Sequence, residues 1–227
     1  MRARTIAIGD IHGCPLALDA VLRAIQPGPR DTIITLGDYI DRGPDSRGVV
    51  DRLLQLEKET RLIPLLGNHE LMLLDVLRLV GENPPPANVP QNWPWLLCGG
   101  KETLSSYGGS LANIPPEHLT FFNRCVRWYE TPTHLFIHAN YSAELPLDDQ
   151  PEYLLFWEHL RFSIPGPHNS GKTAIVGHTS QPTGEIFDLG HVVCIDTHCH
   201  GRGWLTALDV DDRTVWQADK TGALRQK

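Results

Sequence analysis

Thr5-Ile6-Ala7-Ile8-Gly9-Asp10-Ile11-His12-Gly13 is the stretch on which the reading of this 227-residue chain turns. Its first four residues form a short apolar, β-branched run that glycine stops, the pattern of a strand buried on both faces. A carboxylate and an imidazole follow two residues apart, between glycines that let backbone approach closely. The same order returns twice: residues 32–36 run into Gly37-Asp38-Tyr39-Ile40-Asp41-Arg42-Gly43, and residues 62–66 into Gly67-Asn68-His69-Glu70. Apolar runs at 135–137 and 174–176 lead into His138 and Gly177-His178, and two more lie at 192–195 and 205–210.

Between the early runs lie helical patterns. Pro15–Ile25 begins with proline at a first helical position, and 46–58 carries Val49, Val50, Leu53, Leu54 and Leu56 on one side. Strands alternating with helices predict an α/β fold, with the polar motifs at the carboxyl ends of strands, where such folds place their sites. From Ala174 the spacing tightens to strand after strand, with Asp211-Asp212 as a hairpin turn before 214–217. That predicts a second, largely antiparallel sheet packed on the first.

The rhythm breaks at 81–95, which holds Pro84, Pro85, Pro86, Pro90 and Pro94 and is followed by Gly99-Gly100 and Gly108-Gly109. Trp93, Trp95, Leu96 and Leu97 are too apolar for a solvated tether. We expect one domain over 1–227, with an insertion at about 81–130 folded over it near the motifs and a helix at 116–129.

Hydrophobic residues make up 41% and charged residues 21%, values of an ordinary globular protein, and the formal net charge is -7. An acidic chain without a block of like charges argues against a nucleic-acid-binding face. Behind Met1-Arg2-Ala3-Arg4 the apolar run is too short for a signal peptide or a membrane span, so the expectation is a cytoplasmic protein with no membrane partner. Five cysteines with no C-x-x-C pair read as reduced thiols. No feature of the sequence sets an oligomeric state.

The motif residues together describe a two-ion centre. Asp10 and His12 make a half-site for one divalent ion, the Asp38 carboxylate can bridge to a second, and Asn68, His138 and His178 complete that one. Solvent held between two such ions is hydroxide near neutrality and serves as nucleophile. Arg42 offers a bidentate fork to phosphate, and Asp41 can keep His69 protonated as the acid that meets the departing oxygen. Taken singly, each motif has a bland reading: Asp-Gly turns are common, Arg42 could be a surface ion pair and His138 a satisfied core residue. Their conjunction at strand ends favours a metal site.

Two other strings invite different chemistry. Gly166-Pro167-His168-Asn169-Ser170-Gly171-Lys172-Thr173 matches the P-loop spelling, but a strand rather than a helix is expected after it, so a polar turn is the better reading. His198-Cys199-His200 could suggest zinc, yet strand parity lets His198 and His200 converge without Cys199, which favours a pocket-lining or structural role.

The set resembles the calcineurin-like metallophosphoesterase superfamily and, within it, the phosphoprotein phosphatase family, whose signatures are GDxHG, GDxVDRG and GNHE followed by two later histidines. Residues 92–107 resemble the W…GG…TLxSYG segment of bacterial members, and Ile195-Asp196-Thr197 with Leu205-Thr206-Ala207-Leu208 their closing motif. The resemblance implies a four-layered α-β-β-α sandwich of two mixed sheets, with two divalent ions between loops at one edge, Mn2+ foremost and Fe or Zn as alternatives. It implies Asp10, His12 and Asp38 for the first ion, Asp38, Asn68, His138 and His178 for the second, and His69 with Asp41 as the acid pair. Arg42 and Asn68 then face phosphate, with Arg161 in Trp157-Glu158-His159-Leu160-Arg161 as a match at shifted spacing. Leu66 stands where the family has a second arginine, and His138-Ala139-Asn140 replaces His-Ala-Gly. The implied activity is phosphate removal from phosphorylated protein by a serine/threonine phosphatase, a small phosphoester being the other substrate class. The alternatives are symmetrical hydrolysis of dinucleoside polyphosphates such as diadenosine tetraphosphate, then phosphodiester cleavage. A non-catalytic metal-binding scaffold and a P-loop NTPase are the rivals from other classes.

Overall fold

The computed structural model describes residues 3–80 and 93–226. In chain order they form Thr5–Ile8 (β1), Pro15–Ile25 (α1), Thr32–Thr35 (β2), Ser46–Leu56 (α2), Arg61–Pro64 (β3) and Asn68–Val80 (α3). Lys101–Ser106 (α4), Pro116–Arg124 (α5), Trp128–Glu130 (β4), His134–Ile137 (β5) and Glu152–Phe156 (α6) follow. Thr173–Val176 (β6), Phe187–Asp188 (β7), Val192–Cys194 (β8), Leu205–Asp209 (β9) and Val215–Ala218 (β10) close the chain.

The strands divide into two mixed sheets of order β10-β9-β1-β2-β3 and β4-β5-β6-β8-β7. In the first, β1, β2 and β3 are parallel, and β9 lies antiparallel on β1 with Ala7 opposite Leu208. In the second, β5, β6 and β8 are parallel, while β4 and β7 close the edges antiparallel.

Period-two burial makes this a sandwich. Ala7, Ile34, Leu36 and Leu208 of the first sheet meet Phe136, Ile175 and Val193 of the second in one core. The alternate residues Ile6, Ile8 and Ile33 pack with Leu18, Val21, Val50 and Leu53 of α1 and α2. On the far side, Leu135, Ile137, Ala174 and Val176 pack with Leu155 and Phe156 of α6. The layers therefore run α-β-β-α.

Three expectations need correcting. The second sheet is not largely antiparallel, because its central strands are covered on both faces, the condition under which parallel strands are found. The β9–β10 hairpin, turning at Asp211-Asp212, belongs to the first sheet instead. The helix expected at 116–129 ends at Arg124. There the chain straightens: the Val126 N–H donates to the Pro64 carbonyl (2.9 Å), the Leu66 N–H to that of Val126 (2.8 Å), and Trp128–Glu130 pairs with β5.

Of the expected insertion, 81–92 lies outside the described residues. Trp95, Tyr107, Phe121 and Phe122 from the remainder are buried in the cluster that also holds the α1 and α2 residues. All five cysteines are free thiols, and among the described residues no helix is long and apolar enough to cross a membrane.

Candidate metal centre

Every motif residue stands just beyond a strand. Asp10 and His12 follow β1, Asp38 follows β2, Asn68 and His69 open α3 after β3, His138 follows β5 and His178 follows β6. Both sheets thus deliver side chains to one edge. The loops are tightly wound, with left-handed φ at His12 (44°), Asp38 (51°), Asp41 (71°), Arg42 (66°) and His178 (58°). L-residues avoid this region, so strain of this kind is held only where surrounding contacts impose it. Beyond Asp10 the chain leaves the line of β1 through such a turn at His12 and Gly13.

At Asp38, Glu70 supplies those contacts. Its Oε2 accepts the N–H groups of Asp38 (2.9 Å) and Gly67 (3.1 Å), and its Oε1 those of Tyr39 (2.8 Å) and Ile40 (3.3 Å). One buried carboxylate thereby fixes the turn that presents Asp38. Burial and the facing Asp38 push this carboxyl up, against the pull of His69 and the Tyr39 amide.

Around Asp38 the potential ligand atoms form two groups that share its carboxylate: His12, Asp38 and His69, and Asp38, His138 and His178, each within 4.8 Å. Their tautomers are set from behind. His12 Nδ1 donates to the Ile40 carbonyl (2.9 Å), His138 Nδ1 to that of Leu36 (2.7 Å) and His178 Nε2 to that of Trp157 (3.2 Å). Each ring therefore turns a lone pair inward. His138 Nε2 and His178 Nδ1 each lie 3.0 Å from Asn68 Oδ1, and His138 Nε2 lies 3.4 Å from Asp38 Oδ1. Asn68 Oδ1, His138 Nε2 and His178 Nδ1 are acceptors that face one another with no hydrogen between them, which is what a cation requires, while Asp38 Oδ1 also takes the His69 N–H (3.1 Å). Burial lowers all three imidazoles, His178 to about 3, so they are neutral ligands at physiological pH. The donor set fits a pair of divalent ions.

Asp10 lies in neither group. Its carboxylate accepts the His178 N–H at 3.2 and 3.0 Å, and a Cβ on Gly177 would come within 2.1 Å of its Oδ1, so glycine makes room for it. His12 Nε2 accepts from Arg42 Nη1 (2.9 Å).

His69 Nδ1 and Asp41 Oδ2 are 2.6 Å apart and almost wholly buried. Burial works against a charged imidazole, but Asp38 and Asp41 outweigh it and raise His69 above its ordinary value. Asp41 is held by two residues from the stretch after 92. Trp95 Nε1 donates to both its oxygens (3.1 and 2.9 Å) and Thr103 Oγ1 to Oδ1 (2.6 Å), while Ser46 Oγ lies 2.8 Å from Thr103 Oγ1.

The remaining residues lie outside the two ligand groups. Arg42 is exposed, its N–H donating to the Gly99 carbonyl (3.2 Å). Arg161 is also exposed, with Nη2 2.6 Å from the Ser180 carbonyl. Leu66 is half-buried and packs against two of the apolar clusters, so it brings no polar group to the site. Asn140 stabilises its own loop, accepting the Tyr141 N–H at 2.8 Å. The P-loop look-alike is a turn leading into β6, with Lys172 paired to Glu130 (2.7 Å). His198 and His200 do converge, with ring centroids 4.6 Å apart, but through a left-handed His198 (φ 68°) rather than strand parity. His200 stands edge-on to His12 at 4.8 Å. Cys199 is buried.

Reading the sequence missed Glu70, Trp95, Thr103 and Ser46 as parts of this site. The signals within reach were the acidic residue closing Gly67-Asn68-His69-Glu70 and a tryptophan too apolar for a linker; nothing local marks Thr103 or Ser46.

Comparison with known proteins gives a consistent picture. A model of calcineurin-like phosphoesterases matches residues 3–210. A symmetrical bis(5'-nucleosyl)-tetraphosphatase of Klebsiella pneumoniae is 42% identical, with 92% of each chain covered. The serine/threonine-protein phosphatase 1 of Salmonella typhimurium is 32% identical over 88% of each. Among solved structures, a proposed diadenosine tetraphosphatase superposes with a TM-score of 0.72 at 21% identity, over 95% of this chain and 93% of that one.

Proposed function

The chain belongs to the calcineurin-like phosphoesterase family and is a phosphoester hydrolase; within that family we propose that it cleaves dinucleoside tetraphosphates symmetrically, into two nucleoside diphosphates. The observation that carries this is the 42% identity to a symmetrical tetraphosphatase over 92% of both chains, against 32% over 88% for the protein phosphatase. That ordering reverses the preference drawn from the sequence.

Asp10, His12, Asp38, Asn68, His138 and His178 would hold two divalent ions, for which we propose Mn2+. Such ions supply Lewis-acid charge and lower the pKa of water enough for it to attack phosphorus. The protein's own part is positioning and proton supply. Arg42 stands exposed beside His12, where its fork can take a phosphate oxygen. His69, pinned through Nδ1 by Asp41, presents Nε2 to the oxygen that leaves when the central bridging P–O bond breaks. Water provides the new oxygen, and the Nε2 proton goes to the departing nucleoside diphosphate. The reading takes 1–227 as one catalytic domain, with the described part of the insertion, 93–130, beside the site. Trp95 and Thr103 reaching Asp41 support that.

Side-by-side turnover of Mn2+-loaded protein on diadenosine tetraphosphate, phosphoserine peptide and phosphotyrosine peptide tests the proposal. Diadenosine tetraphosphate is expected to be cleaved fastest, with adenosine diphosphate as sole product. Faster release of phosphate from phosphoserine peptide would transfer the assignment to the serine/threonine phosphatase reading, which the Salmonella relative supports.

A further inference from the structure

The segment between α6 and β6 carries an apolar surface that the chemistry at the ions does not use. Trp157 (37% exposed), Phe162 (81%) and Ile164 (56%) stand open to solvent within eight residues of chain. Single exposed apolar residues are ordinary, but several in one short segment beside a site make that segment a candidate binding surface. Two residues of this segment reach the ligand groups. The Trp157 carbonyl accepts from His178 Nε2 (3.2 Å), and the His159 ring stacks on that of His178 with centroids 4.2 Å apart and planes at 25°. Phe162 then meets His159 edge-on at 5.9 Å. A chain of rings leads from an expected metal ligand out to a bare phenyl.

Two further features suit this surface to a nucleotide. His159 Nδ1 is buried with no hydrogen-bond partner among the described residues, a polar atom left open beside the stacked rings. Arg161, between His159 and Phe162 in the chain, is anchored to the Ser180 carbonyl, which fixes a positive charge on the same segment as the aromatic rings. Cation near the phosphates and flat apolar surface beyond them is the order of groups along a nucleoside phosphate. Aromatic faces take any base, because every base has a π-face.

We propose that segment 157–162 is the nucleoside platform of this site, with Trp157 and Phe162 stacking against a nucleobase whose phosphates lie at the metal centre. The proposal deepens the tetraphosphatase reading and rests on it for the substrate. A second copy of the chain or an apolar peptide segment is the competing occupant.

The test compares two ligands that differ only in the base. Titration calorimetry on Mn2+-loaded protein measures Kd for adenosine 5'-monophosphate and for ribose 5-phosphate. Stacking predicts that the nucleotide binds tighter by about fivefold or more. Trp157→Ala with Phe162→Ala brings the ratio close to one, whereas Phe162→Tyr keeps it. Metal content and thermal midpoint, read on each variant, separate loss of the platform from loss of the fold. Equal affinity for the two ligands in the unaltered protein, no measurable binding of either, or a preference that survives the double substitution overturns the proposal, and concentration-dependent dimerisation abolished by that substitution assigns the surface to a second copy. A preserved preference for the nucleotide with no cleavage of diadenosine tetraphosphate counts against the proposed reaction alone and leaves the platform standing.

Discussion

Asp41 shows how much of this site is held by residues remote in sequence. Its two oxygens receive Trp95 Nε1, Thr103 Oγ1 and His69 Nδ1, so the carboxylate can neither rotate nor leave the imidazole. A donor to a buried charged acceptor contributes about 1.5–3 kcal/mol. Trp95→Phe leaves an aromatic but smaller ring and removes the donor, and should lower turnover by roughly tenfold or more. His69→Ala should lower it by roughly 10²-fold, with bound metal near two ions in both variants. Because Trp95 acts through His69, the double variant should be no slower than His69→Ala alone. Additive losses would show instead that Trp95 serves the fold rather than the acid.

The elements explain why the site could be read in part and no further. Here α3 begins within the Gly67-Asn68-His69-Glu70 motif, and its first turn reaches back to stitch the loop after β2, Glu70 taking four backbone N–H groups. Glu70→Gln turns an amide NH2 toward donors that then lack an acceptor, each at about 1–3 kcal/mol. Urea unfolding should show a loss of about 2–4 kcal/mol, together with weakened metal binding. A stability equal to the unaltered protein's would mean the four amides find other partners. Within-element signals were legible: Pro15–Ile25 is a helix with the bounds its proline and periodicity indicate, and β1 is the run Thr5–Ile8. Six ligand-type residues were legible because each sits at a strand end. Pairing was not, since β6 and β8 lie parallel with only turns and the two-residue β7 between them, so no helix announces the crossover. Likewise the contacts of Trp95 and Thr103 with Asp41 span 54 and 62 residues. The left-handed turns at Asp38, Asp41 and Arg42 carry no glycine at those positions to reveal them.

At the scale of the molecule, the candidate metal centre straddles the seam of the sandwich. Asp10, His12, Asp38 and Asn68 come from loops of the first sheet, His138 and His178 from those of the second. Between the sheets the interface is apolar, with Phe136 and Ile175 against Ala7, Ile34 and Leu36. Polar ties at this edge include His138 Nδ1 to the Leu36 carbonyl and the His178 amide to Asp10. Ions bound there would link the two sheets across acceptors that otherwise face one another, and only the folded chain brings those acceptors together. Ligand that binds only the folded state stabilises it by about 2.7 kcal/mol at a hundredfold excess over Kd. For a chain of this size that is roughly 5–10 °C in thermal midpoint for one site. Calorimetric melting should therefore show a midpoint that drops by at least this much when EDTA strips the protein and returns when Mn2+ is restored. Phe136→Leu, which loosens the apolar seam without touching a ligand, should lower the midpoint by a similar amount in both forms, whereas His138→Ala should shrink the difference between them. Equal midpoints for loaded and stripped protein would show that the sheets are held by their apolar seam alone.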